Sequence, residues 1–459
     1  MFRRKLIASG ISMMLGAPLS AFAADNAEML QIRNEIRSMK QSYEARIEAL
    51  EQRLQRAEAK AGKADNRNAQ AEAVTAQITS SAPSSVSNAF NPAISLILSG
   101  TYSSLSQDPA NYRITGFIPG GEIEPGTRGF SLAESELIVS ANIDPNFYGR
   151  LTLALAPDNT LGVEEAAVQT TTLGHGLTAK AGRFYSGIGY LNEQHPHAWD
   201  FVDAPLAYKA FLGRQYGNDG MQLKWVAPTN TFLEFGAEAG RGSNFPGSER
   251  NKNGTGSYAL FAHVGDDIGT DHSWRAGLSW LHNTAKSRTY DDLDSAGNMV
   301  SNSLDGNSRL WLADFVWKWA PNGNPAYRNF KLQGEYFRRQ EIGDLTFDTV
   351  NLASIDRYSA TQSGWYLQGV YQFMPRWRVG LRADRLDSGT VDYGSVNSAN
   401  LSAPAYNPSR NSLMFDYSPS EYSRMRLQLA QDKSHQGVTD NQLFLQYIMS
   451  LGAHGAHKF

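Results

Sequence analysis

The sequence predicts an all-β chain: a transmembrane antiparallel β-barrel of about 16 strands, preceded by an N-terminal α-helical coiled coil. Three observations carry that expectation. A secretory leader opens the chain, apolar and polar residues alternate with period two in segment after segment from Asn91 to Phe459, and aromatic residues gather at the ends of those segments. A strand that crosses a bilayer turns alternate residues to lipid and to the lumen, and aromatic belts mark the two interfaces. Composition removes the alternatives. Past the first 25 residues no apolar stretch reaches the ~20 residues a spanning helix needs. Aromatics make up 11% of the chain, too many for whole-chain disorder. The absence of cysteine excludes a disulfide scaffold, thiol catalysis and a cysteine-based zinc site.

The leader occupies residues 1–23. Arg3, Arg4 and Lys5 precede an apolar stretch from Leu6 to about Leu19, and Ala21-Phe22-Ala23 supplies the small residues of a cleavage site. Cleavage removes those three cations, so the formal charge of −3 becomes −6. Export and a negative balance both argue against a nucleic-acid partner.

Residues 24–60 read as a periplasmic coiled coil. Met29, Ile32, Ile36, Met39, Tyr43, Ile47, Leu50, Leu54 and Ala57 recur at steps of three and four, with one stutter between Tyr43 and Ile47. So narrow a stripe on a helix otherwise rich in Glu, Arg, Gln and Lys favours self-association over a single amphipathic helix lying on a domain, and the seam alone does not set the oligomer number. Residues 61–90 are an Ala- and Ser-rich flexible linker that includes Ser80-Ser81-Ala82-Pro83-Ser84-Ser85.

The barrel fills residues 91–459. Leu151, Leu153 and Leu155 alternate with polar or small neighbours, as do Trp377, Val379, Leu381 and Ala383, while Trp311, Ala313, Phe315, Trp317 and Trp319 alternate with Leu312, Asp314, Val316 and Lys318. Short connections such as 227–230 and 374–375 alternate with long polar ones at about 241–256, 283–308, 340–361 and 387–410. That asymmetry is a habit of outer-membrane barrels. The last alternating strand runs through Leu443, Leu445, Tyr447, Met449 and Leu451 to a terminal Phe459. The expected setting is therefore the outer membrane of a Gram-negative bacterium, with lipid, self and small solutes as partners.

No enzyme constellation, and no cofactor motif, stands out. Glu134 and Glu136 lie two apart on one strand face, as lumen lining would. Glu164 and Glu165 are adjacent, which in a regular strand sends them to opposite faces. The cations on the polar faces are the candidate pore-lining and selectivity residues: Lys180, Arg183, Lys224, Arg376, Arg378, Arg382, Arg424 and Arg426. Rings and ladders of charge select ions in a water-filled lumen; the alternative is that these cations solvate the lumen and pair with carboxylates such as Asp384 and Glu335. Residues 181–203 leave their strand at Ser186-Gly187-Ile188-Gly189 and become irregular. Glu193, His195, His197, Trp199, Asp200 and Asp203 are the candidate constriction residues. This loop either folds into the lumen, or packs outside against a neighbour, or binds a metal such as zinc through His195, His197, Asp200 and Asp203. His454 and His457 read as surface residues.

The hairpin from Val163-Glu164-Glu165-Ala166 to Leu177-Thr178-Ala179-Lys180-Ala181-Gly182-Arg183-Phe184, its glycine-rich exit, the arginine strand 376–385 and the closing strand resemble the phosphate-selective porin O and P family. The N-terminal coiled coil resembles members with such extensions, including dicarboxylate-type porins. That resemblance implies a trimer of 16-stranded barrels, each with an inward third loop and an arginine-lined eyelet, passing small anionic solutes passively. The competing expectation is a metal (zinc) uptake receptor of the TonB-dependent kind that uses loop 190–203. A receptor resembles a barrel of about 22 strands, too large for residues 91–459 at about 23 residues per strand and connection.

Overall fold

The computed structural model describes residues 92–452 apart from 250 and 404. The leader, the coiled coil and the linker, with His454, His457 and Phe459, lie outside the described residues. In chain order the strands are β1 (Ala93–Leu105), β2 (Gly129–Leu132), β3 (Ser135–Asp144), β4 (Phe147–Leu155), β5 (Leu161–Thr170), β6 (Leu177–Tyr185), β7 (Gly217–Val226), β8 (Phe232–Gly240) and β9 (Ser257–Ile268). They continue as β10 (His272–Leu293), β11 (Met299–Trp319), β12 (Asn329–Phe347), β13 (Ser354–Met374), β14 (Trp377–Asp392), β15 (Ser409–Ser420), β16 (Ser423–Lys433) and β17 (Asp440–Gly452).

From β3 onward each strand pairs antiparallel with its sequence neighbour, and β1 pairs with β17 over Ser95↔Gly452 to Leu105↔Gln442, which closes the sheet. The segments β2 and β3 both pair with β1, one over Ser103↔Gly129 and the other over Ala93↔Ser140. They share one position in the wall, so the described residues form a closed barrel of 16 strands. Closure matters because hydrocarbon offers no partner to an exposed strand edge.

The alternation read from the sequence is the inside and outside of this wall. On β10, Leu278 is 68% exposed while Ser279 is 3% exposed. Met221, Leu223, Leu260, Ile342, Ile355 and Leu381 are likewise exposed on the outer face. Toward the end where β1 begins and β17 stops, Trp377 stacks on Tyr417 with ring centroids 4.5 Å apart, and Trp225 on Phe235 at 5.9 Å. These are the aromatics expected at strand ends, and they belong where ring and water meet.

Two of the four long connections differ from the expectation. Residues 283–308 and 340–361 are mostly strand, because β10 and β11 run on to a turn at 294–298 and β12 and β13 to one at 348–353. Their tips turn Tyr290, Leu304, Leu345, Phe347 and Tyr358 inward into a buried apolar cluster and polar residues such as Asp291, Asp305 and Arg357 outward, so the polarity of a membrane strand is inverted there while the pairing continues. The wall is consequently uneven: β3–β8 are 9 or 10 residues long, whereas β10–β13 have 19–22.

Candidate functional site

The segment 186–216, between β6 and β7, enters the lumen. Burial shows it: Ser186, Ile188, Tyr190, Leu191, Asn192, Trp199 and Phe201 are each at most 4% exposed. It ends in a helix, Leu206–Leu212, all seven of whose residues are buried. Leu206, Tyr208, Phe211 and Leu212 pack against Phe261, Leu310, Leu312, Phe337, Tyr366 and Leu386 from the inner faces of β9–β14. The barrel therefore has a hydrophobic core where an open porin would have water. This apolar stretch follows the polar run that marked the loop in the sequence.

Wall carboxylates hold the loop's backbone. Glu238 accepts from Ser186 Oγ (2.6 Å) and Gly187 N–H (2.8 Å). Glu335 accepts from the N–H groups of Tyr190 and Leu191 and from the hydroxyls of Tyr208 and Tyr366 (2.6 Å). Glu335 thus serves the loop rather than the arginines. Gly189 sits at φ +67, and a methyl there would collide with Glu335 Oε2. Asp384 accepts from the first N–H of the helix (2.9 Å), while Arg382 donates to its other oxygen (3.0 Å).

The arginines and the loop acids meet one another. Arg378 donates to Asp200 (3.0 Å) and to Asp416 (3.0 Å), and Lys331 also contacts Asp200. Arg382 donates to the Asp203 carboxylate (3.0 Å) and carbonyl (2.8 Å), and Arg410 pairs with the same carboxylate. Arg424 and Arg426 donate to the Trp199 carbonyl (3.2 and 2.6 Å), and Arg424 also reaches that of His197. Although burial opposes its charge, Lys331 and Arg378 hold the Asp200 carboxyl below the usual carboxylate range. Within the helix, burial pushes the Lys209 ammonium down to about 8.

Several expected lining residues lie elsewhere. Arg376 is in the turn between β13 and β14 at φ +74, off the strand face. Arg183 is three residues from Lys180 and so takes the opposite parity. It is 45% exposed and bonded to Asp219 (2.6 Å), which lies on the same strand face as the outward Met221 and Leu223. Lys180 stays inside, with its ammonium over the Phe184 ring (5.3 Å), and Lys224 pairs with Glu234 (3.1 Å). The four metal candidates do not form one site: Asp200 and Asp203 are bound by the cations of β12, β14 and β15, away from His195 and His197.

Those histidines face β3 and β5. His197 Nδ1 is 2.8 Å from Glu136 Oε1. His195 Nδ1 lies 3.1 Å from Glu136 Oε2 and 3.2 Å from Glu164 Oε2, and its Nε2 is 3.0 Å from Glu165 Oε2. Burial disfavours a charge on His195, yet these three carboxylates hold its imidazole well above the ordinary value. Glu164 and Glu165 both point inward, contrary to the regular-strand expectation, because the β4–β5 register shifts between Thr152 and Leu153 and leaves Glu164 as a bulge. Arg214 donates to Glu134 (2.9 Å) and lies over the Trp199 ring (5.8 Å).

Beneath the loop, toward the end where β1 begins and β17 stops, remains a cavity of about 1160 Å³. Arg150, Lys180, Arg275, Lys318, Lys331 and Arg378 line it from the wall, and Glu193, His195, His197 and Asp200 from the loop. Arg275, Lys318 and Lys331 were not singled out from the sequence. Lys318 lies at an inward position of an alternating segment that the sequence does reveal, but its opposition to Lys331 depends on strand register, which the sequence does not state.

No family model matches the chain. An uncharacterized protein of Aquifex aeolicus is 30% identical over 400 residues, 81% of this chain and 80% of that protein. Among solved structures, OmpT of Vibrio cholerae in its trimer form matches with a TM-score of 0.49 at 10% identity, covering 79% of this chain and 99% of that one. OprB of Pseudomonas putida gives 0.46 at 14% identity, covering 79% and 94%. The channel DcaP of Acinetobacter baumannii gives 0.45 at 13%, covering 79% and 97%.

Proposed function

The chain belongs to one family with the Aquifex aeolicus protein, and for this member we propose a passive outer-membrane channel for small anionic solutes, acting as a conduit and not as an enzyme. A closed 16-strand wall with an apolar outer face and a secretory leader support the location. The observation that carries the anion reading is a pair of lysines. Lys318 on β11 stands directly opposite Lys331 on β12, and both line the cavity with Arg275 and Arg378. Like charges directly opposed across a ladder repel; the Asp200 carboxylate at Lys331 offsets part of that repulsion, and an anion in the cavity offsets more of it. A site that attracts weakly and releases is what conduction requires.

The arginine ladder contributes less than the sequence suggests, because Arg378, Arg382, Arg424 and Arg426 are engaged by the loop. The receptor alternative loses its support: its metal ligands are split between two places, and the wall has 16 strands rather than about 22.

The test is the reversal potential of the full-length protein in planar bilayers under a KCl gradient. Replacing Lys318 and Lys331 together by Gln is expected to lower the Cl⁻ to K⁺ permeability ratio about fivefold, as ~1 kcal/mol of screened attraction would. An unchanged reversal potential would refute the anion reading.

A further inference from the structure

We propose that Glu136, Glu164 and His195 form a binding site for a divalent transition-metal cation, zinc by its donor chemistry, at the seam between the inserted loop and the β3–β5 wall. The donors come from three separate places: Glu136 from β3, Glu164 from the bulge in β5, and His195 from the loop. Their ligating atoms all lie within 4.8 Å of one another. A tetrahedral zinc ion with donors at ~2.0–2.2 Å sets those donors about 3.3 Å apart. The two separations from His195 Nδ1, 3.1 and 3.2 Å, match that edge.

Hydrogen-bond accounting points the same way. A ring nitrogen carries at most one proton, yet Nδ1 of His195 faces two carboxylate oxygens at once. Glu136 is 1% exposed, and its Oε2, aimed at this nitrogen, is buried with no hydrogen-bond partner. A buried carboxylate oxygen that competes with a second carboxylate for one ring proton is incompletely compensated, and that is costly. A cation bound to all three atoms compensates every one of them.

The surroundings are those a metal ligand set needs. Ligating histidines donate their other ring N–H to a carboxylate, which fixes the ring; here Nε2 of His195 faces Glu165 at 3.0 Å. The second oxygen of each acid is also held: His197 Nδ1 is 2.8 Å from Glu136 Oε1, and the Tyr185 hydroxyl donates to Glu164 Oε1 at 2.9 Å. Glu165, His195 and His197 line the 1160 Å³ cavity, so a hydrated ion reaches the site from the lumen. The competing arrangement is an imidazolium shared among three carboxylates with no metal. The two differ in one measurable respect, because the imidazolium needs nothing from solution.

Full-length protein stripped with a chelator and held in detergent is titrated with zinc against a competing indicator, and separately with cobalt(II). One zinc per chain and the visible absorption of low-symmetry, four-coordinate cobalt are expected. His195→Ala and Glu164→Gln should each abolish stoichiometric binding, and Glu165→Gln should weaken it ~10–100-fold, as loss of an orienting partner does. The paired change His454→Ala with His457→Ala should leave it intact. Heat-modifiable gel migration establishes that each variant is a folded barrel. Absence of stoichiometric zinc binding, or binding that survives in folded His195→Ala and Glu164→Gln, overturns the proposal. Neither result touches the anion reading, which rests on Lys318 and Lys331.

Discussion

Arg378 and Arg382 show how a residue's partner decides what its charge can do. In the sequence they are two guanidiniums on one face of an arginine-rich strand, and a water-filled lumen would make them selectivity groups. In the fold Arg378 bridges Asp200 of the loop to Asp416 of β15, and Arg382 bridges Asp203 to Asp384. Their positive charge is cancelled nearby, and what remains is mechanical. Removing one member of a buried, hydrogen-bonded ion pair costs about 3–5 kcal/mol, because the other charge is stranded. Arg378→Gln combined with Arg382→Gln is therefore expected to loosen the inserted loop. Single-channel records should show larger and noisier conductance, with a smaller change in reversal potential than the Lys318 and Lys331 substitutions cause. A quiet channel of unchanged conductance whose selectivity shifts strongly toward cations would restore the ladder reading.

The inserted segment 186–216 is the element on which site and fold depend together. Its entry requires Gly189, whose positive φ and contact with Glu335 leave no room for a side chain. Gly189→Ala should displace Tyr190 and Leu191 from the Glu335 carboxylate and cost about 1–3 kcal/mol, from backbone strain and a lost buried acceptor geometry. Limited proteolysis within 186–216 should become faster while the barrel stays resistant; equal cleavage rates in variant and parent would count against this view of the entry. The same element shows what the sequence carries and what it withholds. The alternation of β7, β10 and β13 is readable because each residue meets only lipid or lumen. The exit at Ser186-Gly187-Ile188-Gly189 is readable because glycine and polarity end a strand. The inward turn of both Glu164 and Glu165 is not, since a bulge is a property of the β4–β5 register. Nor is the strand in 283–308 and 340–361, where the apolar residues of the tips face inward and the polar ones outward, the reverse of the pattern that identifies a membrane strand.

At the scale of the whole molecule, the barrel needs no second copy to complete its hydrogen bonding, since β1 closes on β17. Any assembly must therefore be driven by other surfaces, and two are available. One is the outward ion pair Arg183–Asp219 on the short-strand side. Charges on a lipid-facing wall cost up to about 2–4 kcal/mol near mid-depth, and a protein neighbour solvates them better than hydrocarbon. The other is the sequence pattern of residues 28–58, whose narrow apolar stripe from Met29 to Leu54 is expected to pair with a similar helix. If the proposed trimer forms through both barrel walls and a coiled coil, its contacts are linked and each raises the effective concentration of the others. Deleting residues 28–58 should consequently lower the temperature at which the oligomer dissociates on semi-native gels. The monomer should keep the heat-modifiable migration of a closed barrel, because none of the 16 wall positions is touched. If the full-length protein already migrates as a monomer and the deletion changes nothing, the trimer is wrong, while the single-barrel conduit stands.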